Sequence, residues 1–223
     1  KWNLYDDGIR TPLVIKWPSK IMANTSTDAM ISWIDILPTI LDLTDSEREE
    51  NIDGKSFLKV LMGETENFRD EIFTTHTGDG VFNIYPIRSV RTKRYKYIRN
   101  LLPDYYHTNH SDLLRKDGAG AYWDSWYKSS RQNIKSENII LSYHTRPKEE
   151  FYDLLKDPNE QNNLITSKSL KKEIRKLSEK LDQWMEKQKD QEIVIYSPYP
   201  IIEELPDKKK IEFLNKKSKS SIR

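Results

Sequence analysis

The chain has 223 residues and a formal net charge of only +2, so its charge balance does not mark it for nucleic acid. It contains no cysteine, which excludes a disulfide framework, a thiolate zinc site and a cysteine nucleophile. No apolar run is long enough to span a membrane, whereas 6 Trp, 12 Tyr and 6 Phe suffice for a compact, aromatic core.

The first residues do not resemble a signal peptide. They open without Met in what reads as structured sequence, so the chain is expected to be a piece of a longer protein. Residues 1–18, KWNLYDDGIRTPLVIKWP, begin as a polar loop with a turn at Asp7-Gly8. Asp6 and Asp7 are the kind of pair that can hold a metal, but the turn accounts for them. Arg10 reads as a structural pairing residue, and Lys1 taken alone reads as a solvated terminal cation. Residues 11–17 are expected to form a strand: Leu13, Val14 and Ile15 are a continuous apolar run of the kind found in strands covered on both faces, and Pro18 ends it. A helix is expected over residues 31–43, with Asp35 as N-cap, Pro38 in the first turn, and Leu37, Ile40, Leu41 and Leu43 as its apolar stripe. After an acidic connection, residues 53–64 read as a turn and a short helix closed by Gly63.

From Asn67 the chain turns to strands and aromatics, which places a subdomain boundary near residue 66. A strand carries His76, and residues 87–91 and 95–100 read as a hairpin around Thr92-Lys93-Arg94. Arg88, Arg91, Lys93, Arg94, Lys96 and Arg99 make this the most basic region. It is either a rim that attracts an anionic polysaccharide or a hairpin with one solvated face. Residues 101–130 read as a long insertion without periodicity, in which Trp123, Trp126 and Tyr127 either stack on sugar rings or pack the loop down. His107, His110 and His144 lack the spacing of a metal site. Residues 149–164 alternate as a strand, with Phe151, Asp153 and Leu155 on one side and Tyr152 and Leu154 on the other. Asp157-Pro158-Asn159 then makes a turn. A helix follows over residues 167–189, its apolar face built from Leu170, Ile174, Leu177, Leu181 and Trp184 and packed on a small sheet. An edge strand is expected at 193–196 and a disordered, basic tail from 201.

Several of these stretches resemble sulfatases in order along the chain. Residues 149–164, EEFYDLLKDPNEQNNL, resemble the E-L-Y-D-L-x-x-D-P-x-E-x-x-N-L signature near the sulfatase C-terminus. The opening KWNLYDDGIRTPLVIKWP resembles the segment whose Lys or Arg helps to bind sulfate, and WIDILPTILDL resembles the D-L-L-P-T-L-L-D-L helix. NIYPIRSVR, YWDSWYK and the signature itself are most similar to the N-sulfoglucosamine sulfohydrolase (heparan N-sulfatase) group. The resemblance implies an alkaline-phosphatase-like α/β fold in part. Residues 1–66 would be the end of the large α/β domain, 67–200 a small C-terminal α+β subdomain with an antiparallel sheet and a packed helix, and 201–223 a tail.

It further implies hydrolysis of sulfate esters or sulfamates on a sulfated glycan. Lys1 falls on the sulfate-binding position, and His76, Arg88, Arg91, Trp123 and Trp126 are substrate-binding candidates. A calcium ion and a formylglycine are implied as well. The C/S-x-P-x-R precursor motif does not occur here and no calcium ligands can be assigned, so this chain by itself is expected to be inactive and to work with an N-terminal part of the same enzyme. An O-sulfatase of another glycan, a non-catalytic module binding anionic sugar, and a phosphodiesterase of the same superfamily are the alternatives. Sulfatases of this kind work in the periplasm, outside the cell or in the lysosome, and neither nucleic acid nor membrane is an expected partner. Sequons occur at Asn24 and Asn109, and the Lys-, Ile- and Asn-rich usage suggests a bacterial source.

Overall fold

The structure is a computed structural model and describes residues 2–47, 50–78, 84–109, 111–112, 120–192 and 199–200. Lys1, the strand expected at 193–196 and the tail from 201 lie outside them. Its centre is an antiparallel four-stranded sheet in the order β1-β2-β3-β5, made of β1 (Glu71–His76), β2 (Ile87–Thr92), β3 (Tyr95–Asn100) and β5 (Glu149–Asp153). The register pairs Phe73 with Val90, Val90 with Tyr97 and Tyr97 with Phe151, so one row of apolar side chains crosses all four strands. Two-residue strands β4 (Tyr105–Tyr106) and β6 (Tyr199–Pro200) pair separately.

Because side chains alternate along a strand, each face of this sheet has its own core. One face carries Val90, Tyr97 and Phe151 against Leu177, Leu181 and Met185 of the long helix Lys171–Lys187. Trp184 of that helix lies flat on Phe73, ring centroids 5.1 Å apart. The other face carries Ile87, Ile98, Tyr152 and Leu154 and is covered by Leu4, Tyr5 and Ile9 of the N-terminal segment, which contains the one-turn helix α1 (Asp6–Ile9). The expected alternation of residues 151–154, the hairpin and the apolar face of the long helix are all present. The helix starts with a 3-10 turn over Lys168–Leu170.

Three expectations differ. Residues 11–17 form no strand: Val14 is 90% exposed and Leu13 49%. An apolar run becomes a buried strand only between neighbours, and the described residues place none beside it. The helix expected at 31–43 is a 3-10 turn, Trp33–Asp35, followed by α2 (Ile36–Leu43). Asp35 is the N-cap residue of α2 as expected, and the 3-10 turn before it is capped by Ser32 in a reciprocal capping box with Asp35, whose carboxylate accepts from the Ser32 N–H at 2.8 Å. Asp35 is itself buried, also accepting from the Lys55 N–H and held by Arg69. Leu37 and Ile40 of the expected stripe face outward, while Pro38 and Thr39 are buried.

The following helix, α3 (Leu58–Leu61), closes as expected. Gly63 has a φ of +74°, and Gly63 N–H and Glu64 N–H bond back to Val60 and Lys59, a left-handed cap that suits glycine. The third difference is in the insertion, which contains two helices, α4 (Tyr122–Ser130) and α5 (Ile134–His144). Asn133 caps α5, accepting from Lys135 N–H at 2.8 Å and Ser136 N–H at 3.4 Å. The helix Lys171–Lys187 is accordingly α6.

Candidate functional site

Leu4, Tyr5, Asp6 and Ile9, which follow Lys1, are bound to the sheet, and the signature stretch does much of the binding. Glu150 of β5 points to the face covered by the N-terminal segment. Its carboxylate accepts from Tyr5 OH at 2.6 Å, Tyr152 OH at 2.6 Å and Asn100 Nδ2 at 2.7 Å. Burial, reinforced by that shared carboxylate, lifts the phenols of Tyr5 and Tyr152 far above their ordinary range, so both remain donors. Glu160, at the end of the signature turn, accepts the backbone N–H of Asp6. Its backbone sits at φ 52°, an uncommon region for a side chain larger than Gly.

Asp6 is the centre of a buried ion cluster. Arg91 reaches it at 2.8 Å and Lys96 at 2.6 Å, and Lys96 also meets Glu160 at 2.7 Å. Burial opposes the charge on Asp6, yet the hydrogen bonds from Arg91 and Lys96 outweigh it and hold the carboxyl at about 2, below its ordinary 3.8. For Glu160 the balance goes the other way: burial outweighs Lys96 and raises its carboxyl. The aspartate that its sequence context assigns to a turn is therefore the electrostatic anchor of the segment.

Three more cations of the hairpin have carboxylate partners, while Lys93 at its turn is exposed. Arg88 is buried and paired with Asp190 beyond α6, Arg94 meets Asp153 at 2.9 Å, and Arg99 pairs with Asp182 of α6. Alternation sends Arg88 and Arg99 to the α6 face and Arg91 and Lys96 to the other. The solvated face expected here is absent for a simple reason: Lys96 is fully buried and Arg88 nearly so, each with carboxylate partners far away in sequence.

Of the six residues singled out from the sequence, Lys1 lies outside the described residues. The carbonyl of the next residue, Trp2, accepts from His107 Nε2 at 3.1 Å. His76 and Arg88 stand together, the Arg88 guanidinium donating to the His76 carbonyl at 2.9 Å. Arg91 is committed to Asp6. Trp123 and Trp126 form a separate pair on α4, rings 5.1 Å apart; Trp123 is buried and Trp126 is 47% exposed. Trp123 thus packs the insertion down, and Trp126 with its neighbour Tyr122 is the face left to solvent.

Spacing sets His107 and His144 aside as metal ligands and gives no signal at all for Arg146, yet the three lie together under that insertion. His107 and His144 are fully buried and locked to each other. His144 Nδ1–H donates to the His107 carbonyl at 2.9 Å, and His107 N–H donates to the His144 carbonyl at 2.7 Å. Burial first, then the charge of Arg146, keeps His107 neutral well below its ordinary 6.5. Among the described residues no group of three or more His, Cys, Asp or Glu side chains is arranged to hold a metal ion. Glu150, Glu160, Asp6 and Asp35 are each occupied by phenols, amides or cations of the chain itself. These buried carboxylates therefore do not fit a calcium site.

Residues 1–132 match the family model described as N-sulphoglucosamine sulphohydrolase, C-terminal. The chain is similar to an ulvan-active sulfatase of Formosa agariphila, 30% identical over 192 residues that cover 85% of this chain and 36% of that protein. Human N-sulphoglucosamine sulphohydrolase is 29% identical over 202 residues, covering 82% of this chain and 38% of the relative. A solved structure of a protein in complex with its substrate D-glucosamine-2-N,6-O-disulfate shares the fold, with a TM-score of 0.55 at 20% identity over 80% of this chain and 28% of that one. The fold is the alkaline-phosphatase-like α/β fold of sulfatases, in part. The chain spans little more than a third of the length of these curated relatives.

Proposed function

Because this chain belongs to the N-sulphoglucosamine sulphohydrolase C-terminal family, we propose that it is the C-terminal portion of a sulfatase that hydrolyses sulfate esters or sulfamates on sulfated glycans. The match over residues 1–132 carries this reading. The structure supports it by what it holds in place. Glu150 and Glu160, both in the signature stretch, fix the segment that directly follows Lys1. In this proposal Lys1 binds the sulfate group and offsets the negative charge that develops on it. The formylglycine, calcium and the base that expels sulfate belong to an upstream part of the same polypeptide. Trp126 and His76 are then the residues offered to the sugar, while Arg88 and Arg91 are held by Asp190 and Asp6. Sulfated glycans lie outside the cytoplasm, so the enzyme is assigned to the periplasm, the lysosome or the outside of the cell. No helix among the described residues is long and apolar enough to cross a membrane.

Sulfamate cleavage from glucosamine, as in the name of the human relative, is the finer reading; O-sulfate cleavage is its competitor. The test is sulfate release from N-sulfated and O-sulfated glucosamine and from ulvan by a polypeptide that joins this chain to its upstream coding region. Release that falls at least about a hundredfold in Lys1→Ala supports the proposal. Release by the 223-residue chain alone, or none from the joined polypeptide on any sulfated glycan, overturns it.

A further inference from the structure

A surplus of buried hydrogen-bond donors surrounds His107. The hydroxyls of Tyr85 and Thr108, the indole N–H of Trp123 and the Nε–H of Arg146 are all buried, and none has an acceptor among the described residues; the buried carboxylate of Asp112 lies on the His144 side, 3.7 Å from its Nδ1. They share one neighbourhood. The Tyr85 ring meets His107 edge-on at 5.4 Å, Thr108 is the next residue, and Arg146 Nη2 donates weakly to His107 Nδ1 at 3.5 Å. Trp123 packs on Tyr143 at 4.6 Å, and Tyr143 on His107 at 4.9 Å.

Arg146 is the anomaly among them. It is 7% exposed, and among the described residues no carboxylate forms an ion pair with it. Its guanidinium lies over the Tyr5 ring at 4.8 Å, while Glu150 is already shared by Tyr5, Tyr152 and Asn100. The hairpin cations Arg88, Arg91, Arg94, Lys96 and Arg99 each have a carboxylate. A buried cation is tolerated when a counter-ion and acceptors accompany it. Water supplies acceptors but also brings protons that need acceptors of their own. An excess of donors around a formal positive charge calls for a group that only accepts and is negatively charged.

We propose that Arg146, Tyr85 and Thr108, residues other than Lys1, form a binding site for an oxyanion, a sulfate or a carboxylate. Arg146 supplies the charge and a planar fork suited to two oxygens, and the two hydroxyls complete the donor set. The site can be filled by an anionic group of the sugar, which rests on the sulfatase reading, or by a carboxylate from elsewhere in a longer polypeptide, which does not.

The probe is inorganic sulfate, compared with chloride at matched ionic strength, with the melting temperature of the 223-residue chain as readout. Sulfate is expected to raise it saturably. Tyr85→Phe should move the midpoint up about tenfold, the loss of roughly one charge-assisted hydrogen bond, and Arg146→Met should abolish the response. If Arg146→Met does not fold, Tyr85→Phe and Thr108→Val decide. No saturable response in the wild-type chain, or unchanged midpoints in both hydroxyl variants, overturns the site.

In the joined polypeptide, a KM that rises more for a disulfated than for a singly sulfated sugar in Tyr85→Phe supports the site with the sugar as its occupant. Sulfate binding that disappears on joining supports the site with an internal carboxylate as its occupant. If the chain binds sulfate as expected while the joined polypeptide releases none from any glycan, the oxyanion site stands and the sulfatase reading falls.

Discussion

Glu150 concentrates three long-range or buried hydrogen bonds in one carboxylate. Glu150→Ala leaves the phenols of Tyr5 and Tyr152 and the amide of Asn100 without their acceptor, and a loss of about 3 kcal/mol is expected in urea unfolding. Tyr5→Phe, which removes one donor and leaves the carboxylate served by two others, should cost about 1 kcal/mol. A Glu150→Ala loss no greater than that of Tyr5→Phe would remove Glu150 from this role. Acid should weaken the same region in two stages. His107 is held neutral below its ordinary 6.5, so the unfolded chain takes up a proton first. The stability tied to it is complete above about pH 6.5 and declines as pH falls below that value. Asp6, held at about 2 against 3.8, contributes stability that is complete above about pH 4 and is lost as pH falls toward 2. Melting temperature followed from about pH 8 to pH 2 should show both declines, with the upper one missing in His107→Gln. These partners cannot be read from the sequence, because Asp6 and Glu160 are separated by 154 positions and Tyr5 and Glu150 by 145. Charge type is visible in the string; pairing is not.

At the scale of elements, legibility follows periodicity. The sheet and α6 can be read from the string because their apolar residues recur at 2 and at 3 to 4 positions and face packed partners. Leu181 on α6 is fully buried, so Leu181→Ala should cost about 2–5 kcal/mol in denaturant unfolding. On α2 the same argument gives the opposite outcome. Leu37 and Ile40 are exposed, and Leu37→Ala in this chain should change stability by less than about 0.5 kcal/mol. A large loss there would mean that the outer face of α2 is covered. The helix α5 is hidden in the string because its exposed Ile134 and Ile139 blur the face marked by buried Ile140 and His144. The run at 11–17 misleads for a related reason: three apolar residues in succession suit a covered strand, and nothing among the described residues covers them. Of the candidate site, the aromatic insertion is visible as unusual composition, but which Trp is buried depends on helices that its irregular pattern conceals.

Taken as a whole, the described structure has two unlike regions. Around the sheet, both faces are covered and Arg88, Arg91, Arg94, Lys96 and Arg99 are paired. Ahead of it, Leu13, Val14, Met22, Trp33, Ile34, Leu37 and Ile40 are all exposed, a concentration of apolar surface unusual for a solvated region. The chain alone is expected to bind a hydrophobic dye and to self-associate with rising concentration. Val14→Lys combined with Trp33→Ser should suppress both without lowering the melting temperature. Joining the upstream region should protect Val14 and Trp33 from solvent, measurable by hydrogen exchange at residues 13–15 and by Trp fluorescence. Unchanged exchange and fluorescence after joining would show that this face serves another contact.

The tie between Asp6 and Glu160 also bears on how the protein is made. The ribosome releases the Asp6 segment long before it releases the strand and turn that fasten it, and contacts so distant in sequence form late. Until Glu160 has emerged, the segment meant for the sheet carries two exposed aspartates and an apolar run with nowhere to bind. A nascent chain stopped short of that residue has every atom of the segment and none of its position. The signature stretch therefore sets the order of assembly, since the segment beside Lys1 is fixed only in chains translated through Glu160.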